Sequence, residues 1–377
     1  MNYSGYRPTY VEIDLKALEH NFFQIKKIVG NYTKILATVK SDAYGHGMVK
    51  VAQKLQFLGC DYFGVGSIDE GIILRREGIK KPILILSTVL PDKVSPILDF
   101  NLTQTICTKE LAKRLNDEAE KEKKKVSVHV KVDTGMGRIG VWYRQALEFI
   151  RDVLKYKKIT IEGVYTHFPK ADIDSEFTLY QIRIFKDLIT NLKKSKIDIP
   201  LYHAANSVGL FLFKESHLNL VRPGLALYGL STLSKEIIRR KSISFIPVLN
   251  LKTKIVYLKE VEEKRGISYG HTYITKKKTH IATLPIGYAD GYFRSLSNKG
   301  SVLIRGKRFR ICGTICMDSL MVDVGENNFK IGEDVILIGR QKDEIITAEE
   351  LAEKAQTIPY EVVCNIGNRL PRVYKET

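Results

Sequence analysis

Between residues 35 and 229 the sequence alternates regularly between short apolar segments and longer amphipathic ones. Eight segments have the length and apolar content of buried strands, and a helix-like stretch separates each from the next. They are ILATVK, YFGVGS, PILILS, TQTIC, VSVHVKVD, ITIEGVYTH, LYHAAN and LVRPGLALYG. Parallel strands joined by helical crossovers are typical of an eight-stranded barrel. The alternation therefore predicts an α/β fold with an N-terminal (β/α)8 barrel of the TIM type over residues 1–240.

The pattern changes in the last third of the chain. Segments such as LNLKTKIVYL, THIATLPI, GSVLIRGKRF and EDVILIGR alternate apolar and polar residues and are punctuated by glycine. Such alternation is typical of strands with one buried face, while helical spacing occurs only around residues 348–355. A mostly β C-terminal domain is expected over residues 241–377. The strand at the extreme N-terminus is a further candidate member of this domain.

Local signals also predict individual helices. Asp14 precedes apolar residues at helical spacing, and Gly30 follows them, as expected for the two ends of a helix. A further helix is predicted over residues 142–156, directly after the fifth strand.

The chain has 60 Lys and Arg residues against 42 Asp and Glu, a formal net charge of +18. Such an excess is common in proteins that bind nucleic acid or membrane surfaces. Here the basic runs (KEKKK, KKSK, RRK and KKK) are dispersed among predicted helix ends and loops, without interleaved aromatic residues. A solvated surface is the better interpretation, and neither nucleic acid nor a membrane is expected as a partner.

The cysteines and histidines argue against disulfide bonds and against a metal site. The five cysteines are an odd number, and three residues separate the two in CGTIC, so free thiols are expected rather than disulfides or zinc. The histidines lack the spacing of metal ligands, so no metal is expected. With neither a signal peptide nor a long apolar run in the sequence, the cytoplasm is the expected compartment.

Lys40 ends the first barrel strand, immediately before a turn that contains two glycines. In barrels of this type ligands bind at the carboxyl ends of the strands. A lysine held against an apolar strand loses its proton more easily than one in water, and such a lysine can form a Schiff base. The alternative is that one of many basic residues ends a strand by chance.

Other strands also end in polar residues. They are Lys131, Asp133, Arg138, His167, His203, Asn206, Ser207 and Arg222. Any one of them is explained by an ordinary loop, but together they predict a catalytic rim.

The segment GMGRIG resembles a dinucleotide-binding turn. It follows the fifth strand instead of opening a βαβ pair, and Glu162, the acid at about the expected distance, precedes the end of its strand. A tight turn that directs Arg138 into the rim is the favoured interpretation.

Nine motifs, in order and at matching spacing, closely resemble the alanine racemase family over nearly the whole chain. They are VKSDAYGHG, KVDTGMGRIG, GVYTHF, HAANS, RPGLALYG, GISYGHTY, PIGYADGY, CMD and PYEVVCNIGNRLPR. The resemblance implies a pyridoxal 5'-phosphate enzyme with an N-terminal barrel and a β domain, which interconverts L-alanine and D-alanine and supplies D-alanine for peptidoglycan. It also implies a homodimer with shared sites and two bases, Lys40 and, from the partner subunit, Tyr269.

The same resemblance implies further roles. Lys40 carries the cofactor through a Schiff base, His167 lies beneath its ring and Arg222 faces its pyridine nitrogen. The phosphate is assigned to Tyr44, Ser207, Gly224, Leu225 and Tyr360. Arg138 and the backbone of Met317 bind the substrate carboxylate, Tyr288 and Tyr360 narrow the entrance, and Lys131 matches a lysine that is often carbamylated.

Two other functions remain open at this stage. One is a different barrel-type pyridoxal phosphate enzyme, such as a broad-spectrum racemase, D-threonine aldolase or basic amino-acid decarboxylase; GISYGHTY and CMD favour alanine racemase over these. The other is a catalytically idle basic binding protein, for which the net charge is the only argument. Serine is expected as an additional substrate, because it differs from alanine by one hydroxyl.

Overall fold

The computed structural model describes residues 6–240 and 244–376. The strands of the first part are β1 (Tyr10–Asp14), β2 (Lys34–Thr38), β3 (Tyr62–Val65), β4 (Ile83–Ile85), β5 (Thr103–Ile106), β6 (Val126–Asp133), β7 (Val141–Trp142), β8 (Ile159–Tyr165), β9 (Leu201–His203) and β10 (Leu220–Val221). The helices are α1 (Leu15–Val29), α2 (Lys40–Gly45), α3 (Met48–Phe57), α4 (Ile68–Arg76), α5 (Ser95–Asp99), α6 (Lys109–Lys121), α7 (Ala146–Val153), α8 (Ser175–Lys194), α9 (Ser207–Leu212) and α10 (Lys235–Arg240).

Eight of these strands form one parallel sheet, in the order β10-β2-β3-β4-β5-β6-β8-β9. The pairing of Leu220 with Lys34 places the last strand beside the first, and β9 lies next to β10, so the barrel is nearly closed. All four residues of β3 are buried, as expected for a strand covered on both faces. The predicted (β/α)8 barrel is confirmed.

Helix α1 begins and ends where the sequence predicted. Asp14 Oδ1 accepts hydrogen bonds from the backbone N–H groups of Lys16 and Ala17, both at 2.9 Å. Gly30, at φ +76°, ends the helix in a conformation that suits glycine. The cap alone contributes about 1 kcal/mol to stability.

The helix predicted over residues 142–156 was too long at both ends. Helix α7 covers only Ala146–Val153. Val141 and Trp142 instead form β7, which pairs in parallel with Val132 and Asp133. Helical spacing of apolar residues does not reveal such a pairing.

The second part of the chain is mostly β, as predicted. Its strands are β11 (Leu249–Lys254), β12 (Tyr257–Val261), β13 (Gly266–Ile267), β14 (Tyr273–Ile274), β15 (Thr279–Leu284), β16 (Ser301–Ile304), β17 (Lys307–Arg310), β18 (Leu320–Gly325), β19 (Asp334–Gln341), β20 (Glu344–Ile346) and β21 (Arg372–Lys375). The predicted helix is α11 (Ala348–Ala355). A second helix, α12 (Pro359–Cys364), was missed because six residues are too few for helical spacing to show.

Strand β1 lies in the sheet of the second part, although it comes first in the chain. Val11 pairs with Leu251 of β11 in antiparallel and with Arg372 of β21 in parallel orientation. The expected division between residues 240 and 241 falls beside residues 241–243, which are outside the described residues, so this division stays a prediction.

None of the helices in the described part of the chain combines the length and apolarity needed to span a bilayer.

Candidate active site

Lys40 begins α2, just after β2 ends. This turn is left-handed, because residues 41–44 all have φ between +52° and +55°. Such a conformation costs about 1–2 kcal/mol for each residue other than glycine. The Glu70 carboxylate stabilises it, accepting one hydrogen bond from Ser41 N and another from Gly66 N, each at 2.6 Å. The turn therefore fixes the direction in which the Lys40 side chain leaves the strand.

The Lys40 ammonium is in an environment that favours its neutral form. Burial, and then the Arg138 guanidinium, lower the pKa of Lys40, while Glu70 and Cys364 act weakly in the opposite direction. A lysine with a lowered pKa is a better nucleophile and proton acceptor at neutral pH.

Arg222 lies at the end of β10 and is buried. Its Nη2 donates to the carbonyl oxygens of Thr166 at 2.7 Å and Ala204 at 3.0 Å, and its Nη1 donates to Nδ1 of His203 at 2.8 Å. Burial lowers the pKa of Arg222 to about 10, which still leaves the guanidinium charged at neutral pH. The side chain is thus a fixed, permanently charged donor.

Lys131 and His167 lie close to this arginine. Lys131 Nζ is 4.2 Å from the centroid of the Tyr165 ring, and Arg222 Cζ is 5.1 Å from the same centroid. Burial, followed by the charges of Arg222 and Arg138, lowers the pKa of Lys131 well below its usual range. Burial and four surrounding cations lower the pKa of His167 in the same way, so its imidazole is neutral.

Those four cations are Lys40, Lys131, Arg138 and Arg222, which we call the cationic rim. They come from the ends of three strands, β2, β6 and β10, or the turns that follow them, all at the carboxyl end of the barrel. Like charges brought together at a partly buried site repel one another unless an anion joins them. The rim is therefore suited to a ligand that carries phosphate and carboxylate groups.

A second group of residues beside the rim provides hydrogen-bond donors. Ser207 Oγ lies 3.0 Å from the backbone N of Gly224, and Leu225 opens the short turn that follows. A Cβ on Gly224 would lie 2.5 Å from Tyr44 Oη, so the Tyr44 hydroxyl packs directly against the Gly224 backbone, an approach that only glycine allows. The Tyr360 ring, from α12, has its centroid 5.8 Å from that of Tyr44. Hydroxyl and backbone N–H groups of this kind are the donors that bind a phosphate ester.

The remaining predicted site residues lie in the second part of the chain and are exposed, with Tyr269 at 73%, Met317 at 54% and Tyr288 at 43%. Their loops contact one another: Tyr288 N donates to Cys316 O at 3.1 Å, and Thr314 Oγ1 donates to Tyr269 O at 2.9 Å. Among the hydrogen bonds, ring contacts and ion pairs of the described residues, none joins these three to the cationic rim.

The predicted site residues thus form two separate groups, and the larger group lies at the barrel. The barrel and α12 assemble Lys40, Tyr44, Lys131, Arg138, His167, Ser207, Arg222, Gly224, Leu225 and Tyr360. Tyr269, Tyr288 and Met317 form a separate exposed group. Two further residues of this region, Glu70 and His129, were not predicted. In the sequence Glu70 resembles an ordinary helix-terminal charge, and the signal of His129 was a polar residue inside an apolar strand.

The fold and this site together define a barrel-type pyridoxal phosphate enzyme, with a half-buried lysine beyond the first barrel strand and donors suited to a phosphate. Two family models match the chain: "Alanine racemase, N-terminal domain" over residues 13–232 and "Alanine racemase, C-terminal domain" over residues 248–374. The chain belongs to the alanine racemase family.

Individual relatives agree with this assignment. The alanine racemase of Halothermothrix orenii is 47% identical over 377 residues, which cover 100% of this chain and 99% of that protein. The solved alanine racemase of Clostridium difficile 630 is 38% identical with a TM-score of 0.93, covering 99% of this chain and 97% of that one. That of Bacillus anthracis with bound L-Ala-P is 37% identical with a TM-score of 0.93, covering 100% and 97%.

The resemblance inferred from the nine motifs is therefore confirmed. The chain is a pyridoxal phosphate-dependent isomerase, an alanine racemase by function.

Proposed function

We propose that the chain interconverts L-alanine and D-alanine by a two-base mechanism, in which Lys40 and Tyr269 act on opposite faces of the substrate. The main support for this proposal is the environment of Lys40. Its amine has a lowered pKa and lies within a cluster of cations at the carboxyl end of the barrel. Racemisation requires one proton to leave Cα on one face and another to arrive on the opposite face. Lys40 Nζ exchanges a proton on the first face and Tyr269 Oη on the second.

The cofactor contacts that we propose follow the donors described above. Lys40 would hold the cofactor covalently, and its phosphate would be held by Tyr44, Ser207, Gly224, Leu225 and Tyr360, with His167 holding its ring. When bound, pyridoxal phosphate would supply an electron-withdrawing ring that stabilises the charge left when Cα loses its proton. Arg222 would donate to the ring nitrogen and, because a guanidinium hardly releases a proton, would leave that nitrogen unprotonated. This restrains side reactions such as transamination.

Arg138 and the backbone N–H of Met317 are the proposed partners of the substrate carboxylate. Lys131 is proposed to be carbamylated, because a neutral amine is the form that adds carbon dioxide, and its pKa is strongly lowered. The resulting negative charge would orient Arg138 through charge-assisted hydrogen bonds. Tyr288 and Tyr360 restrict the entrance to small side chains, with serine as an additional substrate.

A homodimer with shared sites is the proposed assembly. Tyr269, Tyr288 and Met317 are large apolar or aromatic side chains on contacting loops, and all three are exposed in the single chain. Lys40 needs a second acid or base on the opposite face of the substrate. A second copy that places this loop group over the cationic rim satisfies both requirements.

We further propose that the enzyme works in the cytoplasm and supplies D-alanine for peptidoglycan. Support for the compartment comes from the five cysteines, which are all free thiols in the described structure. Proteins of oxidising compartments tend to pair their cysteines.

Chiral analysis after incubation of L-alanine with the holoenzyme in deuterated water tests this function directly. We expect D-alanine with deuterium at Cα, the reverse reaction from D-alanine, and slower conversion of L-serine. Absence of D-alanine from an enzyme with covalently bound cofactor would contradict the proposed reaction.

A further inference from the structure

A line of polar side chains crosses the interior of the barrel, starting from Arg222. Arg222 Nη1 lies 2.8 Å from His203 Nδ1, and His203 Nε2 lies 2.8 Å from His129 Nδ1. His129 Nε2 is 3.8 Å from Glu162 Oε2. Both histidines are fully buried. Glu162 lines a cavity of about 240 Å³ at the amino ends of the barrel strands, together with Lys34, so the line joins the two ends of the barrel.

The chemistry of the first contact fixes the direction of all the others. A guanidinium has only donors, so Nδ1 of His203 must be an unprotonated acceptor. The proton of a neutral His203 is then on Nε2, which donates to Nδ1 of His129. His129 in turn carries its proton on Nε2, and that N–H is directed at the Glu162 carboxylate. A second proton on either ring would place two N–H groups against each other.

The packing of both rings shows that this arrangement is built into the barrel. A Cβ on Gly163 would lie 2.6 Å from the His129 ring, and a register irregularity between Val128 and His129 interrupts the ladder there. His203 stacks on the ring of Tyr165, with centroids 4.6 Å apart and an interplanar angle of 3°. Both imidazoles are therefore closely packed against residues of β8.

The contact between His129 and Glu162 requires a hydrogen-bond acceptor at residue 162. His129 Nε2 and Glu162 Oε2 are buried atoms without a hydrogen-bond partner, and they face each other. A buried N–H left unpaired costs about 1–3 kcal/mol, so a small closing movement that joins the two atoms is favoured. Interaction with His129 lowers the pKa of Glu162, which keeps the carboxylate charged at neutral pH.

We propose that Glu162 is a positioning residue for Arg222. By accepting the proton of His129, Glu162 stabilises the only tautomers of the two histidines that leave an acceptor in front of Arg222 Nη1. The guanidinium is then held with its free edge toward the catalytic space. Only the last step, the contact of Arg222 with the cofactor ring, rests on the proposed function.

The test uses holoenzyme with ¹⁵N-labelled histidine, and compares wild type with Glu162→Ala and Glu162→Gln. In the wild type, His129 and His203 should both show unprotonated Nδ1 and protonated Nε2. Glu162→Ala should lose this pattern, alter the absorption band of the bound cofactor, and decrease kcat about tenfold with KM changed less than about twofold. Glu162→Gln should restore the pattern, because the amide oxygen also accepts.

Asp61 provides the matched control. Its Oδ2 accepts from the backbone N of Ile35 at 2.9 Å near the same end of the barrel, outside the line of side chains. Asp61→Ala should leave both histidine patterns and the cofactor band as in the wild type, even if the protein is less stable.

Two results would overturn the proposal: a proton on Nδ1 of either histidine in the wild type, or an unchanged pattern in Glu162→Ala. The wild-type measurement needs no variant, so it can still overturn the proposal if Glu162→Ala does not fold. The proposed contact of Arg222 with the cofactor is judged separately. An unchanged cofactor band in Arg222→Lys would contradict that contact, while the histidine patterns would still decide the role of Glu162.

Discussion

Arg7 and Asp290 are joined by two hydrogen bonds across 283 residues of sequence. Nη1 donates to Oδ1 at 2.7 Å and Nη2 donates to Oδ2 at 2.5 Å, and the Asp290 side chain has no exposed surface. Asp290 Oδ2 also accepts from Gly287 N at 3.0 Å. The pair therefore fastens the N-terminal segment to the turn that carries Tyr288.

Arg7→Ala should lower the free energy of unfolding by roughly 3 kcal/mol, because it leaves a buried carboxylate without its main partner. Chemical denaturation measures the change. Lys277, whose ion pair with Glu326 is exposed, is the control, and Lys277→Ala should leave stability unchanged. Equal stability of Arg7→Ala and wild type would show that the pair contributes little.

Gly224→Ala should weaken cofactor binding. The new methyl group would lie 2.5 Å from Tyr44 Oη and 3.5 Å from Thr38 Cβ, and overpacking of this kind costs about 1–3 kcal/mol. The dissociation constant of pyridoxal phosphate, measured by titration of apoenzyme, should rise about tenfold or more. At Gly367 the nearest atom to an added Cβ is 3.8 Å away, so Gly367→Ala should bind the cofactor normally.

Tyr269→Phe should reduce kcat/KM by about 10²- to 10⁴-fold in both directions, as expected for a missing acid or base, with the cofactor still bound. Lys40→Ala should lose the covalent link to the cofactor and nearly all activity. The two-base assignment fails if Tyr269→Phe retains wild-type rates.

A mixed dimer of these two variants is the control for a shared site. One of its two sites combines an intact Lys40 with an intact Tyr269 from the other subunit, so activity should partly recover on mixing. Confirmed mixing without recovery would place both bases in one chain.

His46 should make the protein less stable in mild acid. The ring is fully buried, with Nδ1 2.9 Å from Tyr44 O and Nε2 without a partner. Burial lowers its pKa from 6.5 to about 4. Between these pH values the unfolded chain binds a proton that the folded protein does not, so the free energy of unfolding falls as the pH drops through this window, by roughly 3 kcal/mol from this group.

Denaturation curves at pH 7 and pH 4.5 measure this effect. His46→Asn, whose amide can donate to the same carbonyl group, should show a weaker pH dependence than the wild type. The exposed His271 is the matched control, and His271→Asn should keep the wild-type dependence. An identical pH dependence in His46→Asn would exclude this histidine as the cause.

Lys131 should take up carbon dioxide reversibly. Intact-mass analysis or ¹³C NMR with labelled bicarbonate should detect a carbamate that is absent in Lys131→Arg, since a guanidinium remains charged. Only a plain amine signal under bicarbonate would count against the modification and against its proposed effect on Arg138.

The strand pattern was sufficient to predict the barrel and the position of Lys40. Eight apolar segments with polar residues at their ends contain this information locally, because the carboxyl ends of parallel strands meet at one edge. The left-handed turn at residues 41–44 could not be predicted in this way. Its Ser, Ala and Tyr residues avoid such angles by themselves, and the stabilising Glu70 carboxylate comes from another helix.

The line of side chains from Arg222 to Glu162 could not be predicted from the sequence either. It depends on which residues of β6, β8 and β9 face the interior at the same level, and the register irregularity beside His129 changes that alignment. Glu162 was considered only as part of a rejected nucleotide motif. Strand alternation predicts that a side chain points inward but not which side chain it meets across a barrel.

The pairing of β1 with β11 and β21 has a consequence for synthesis on the ribosome. Val11 emerges before the whole barrel, whereas its partner Arg372 emerges only after it. The barrel strands can pair with their sequence neighbours as they appear, whereas β1 has an open edge until β11 and β21 have been synthesised. Folding of the β sheet is therefore a late event with a large loop to close, and nascent chains that stall before β21 should recruit chaperones or aggregate through β1.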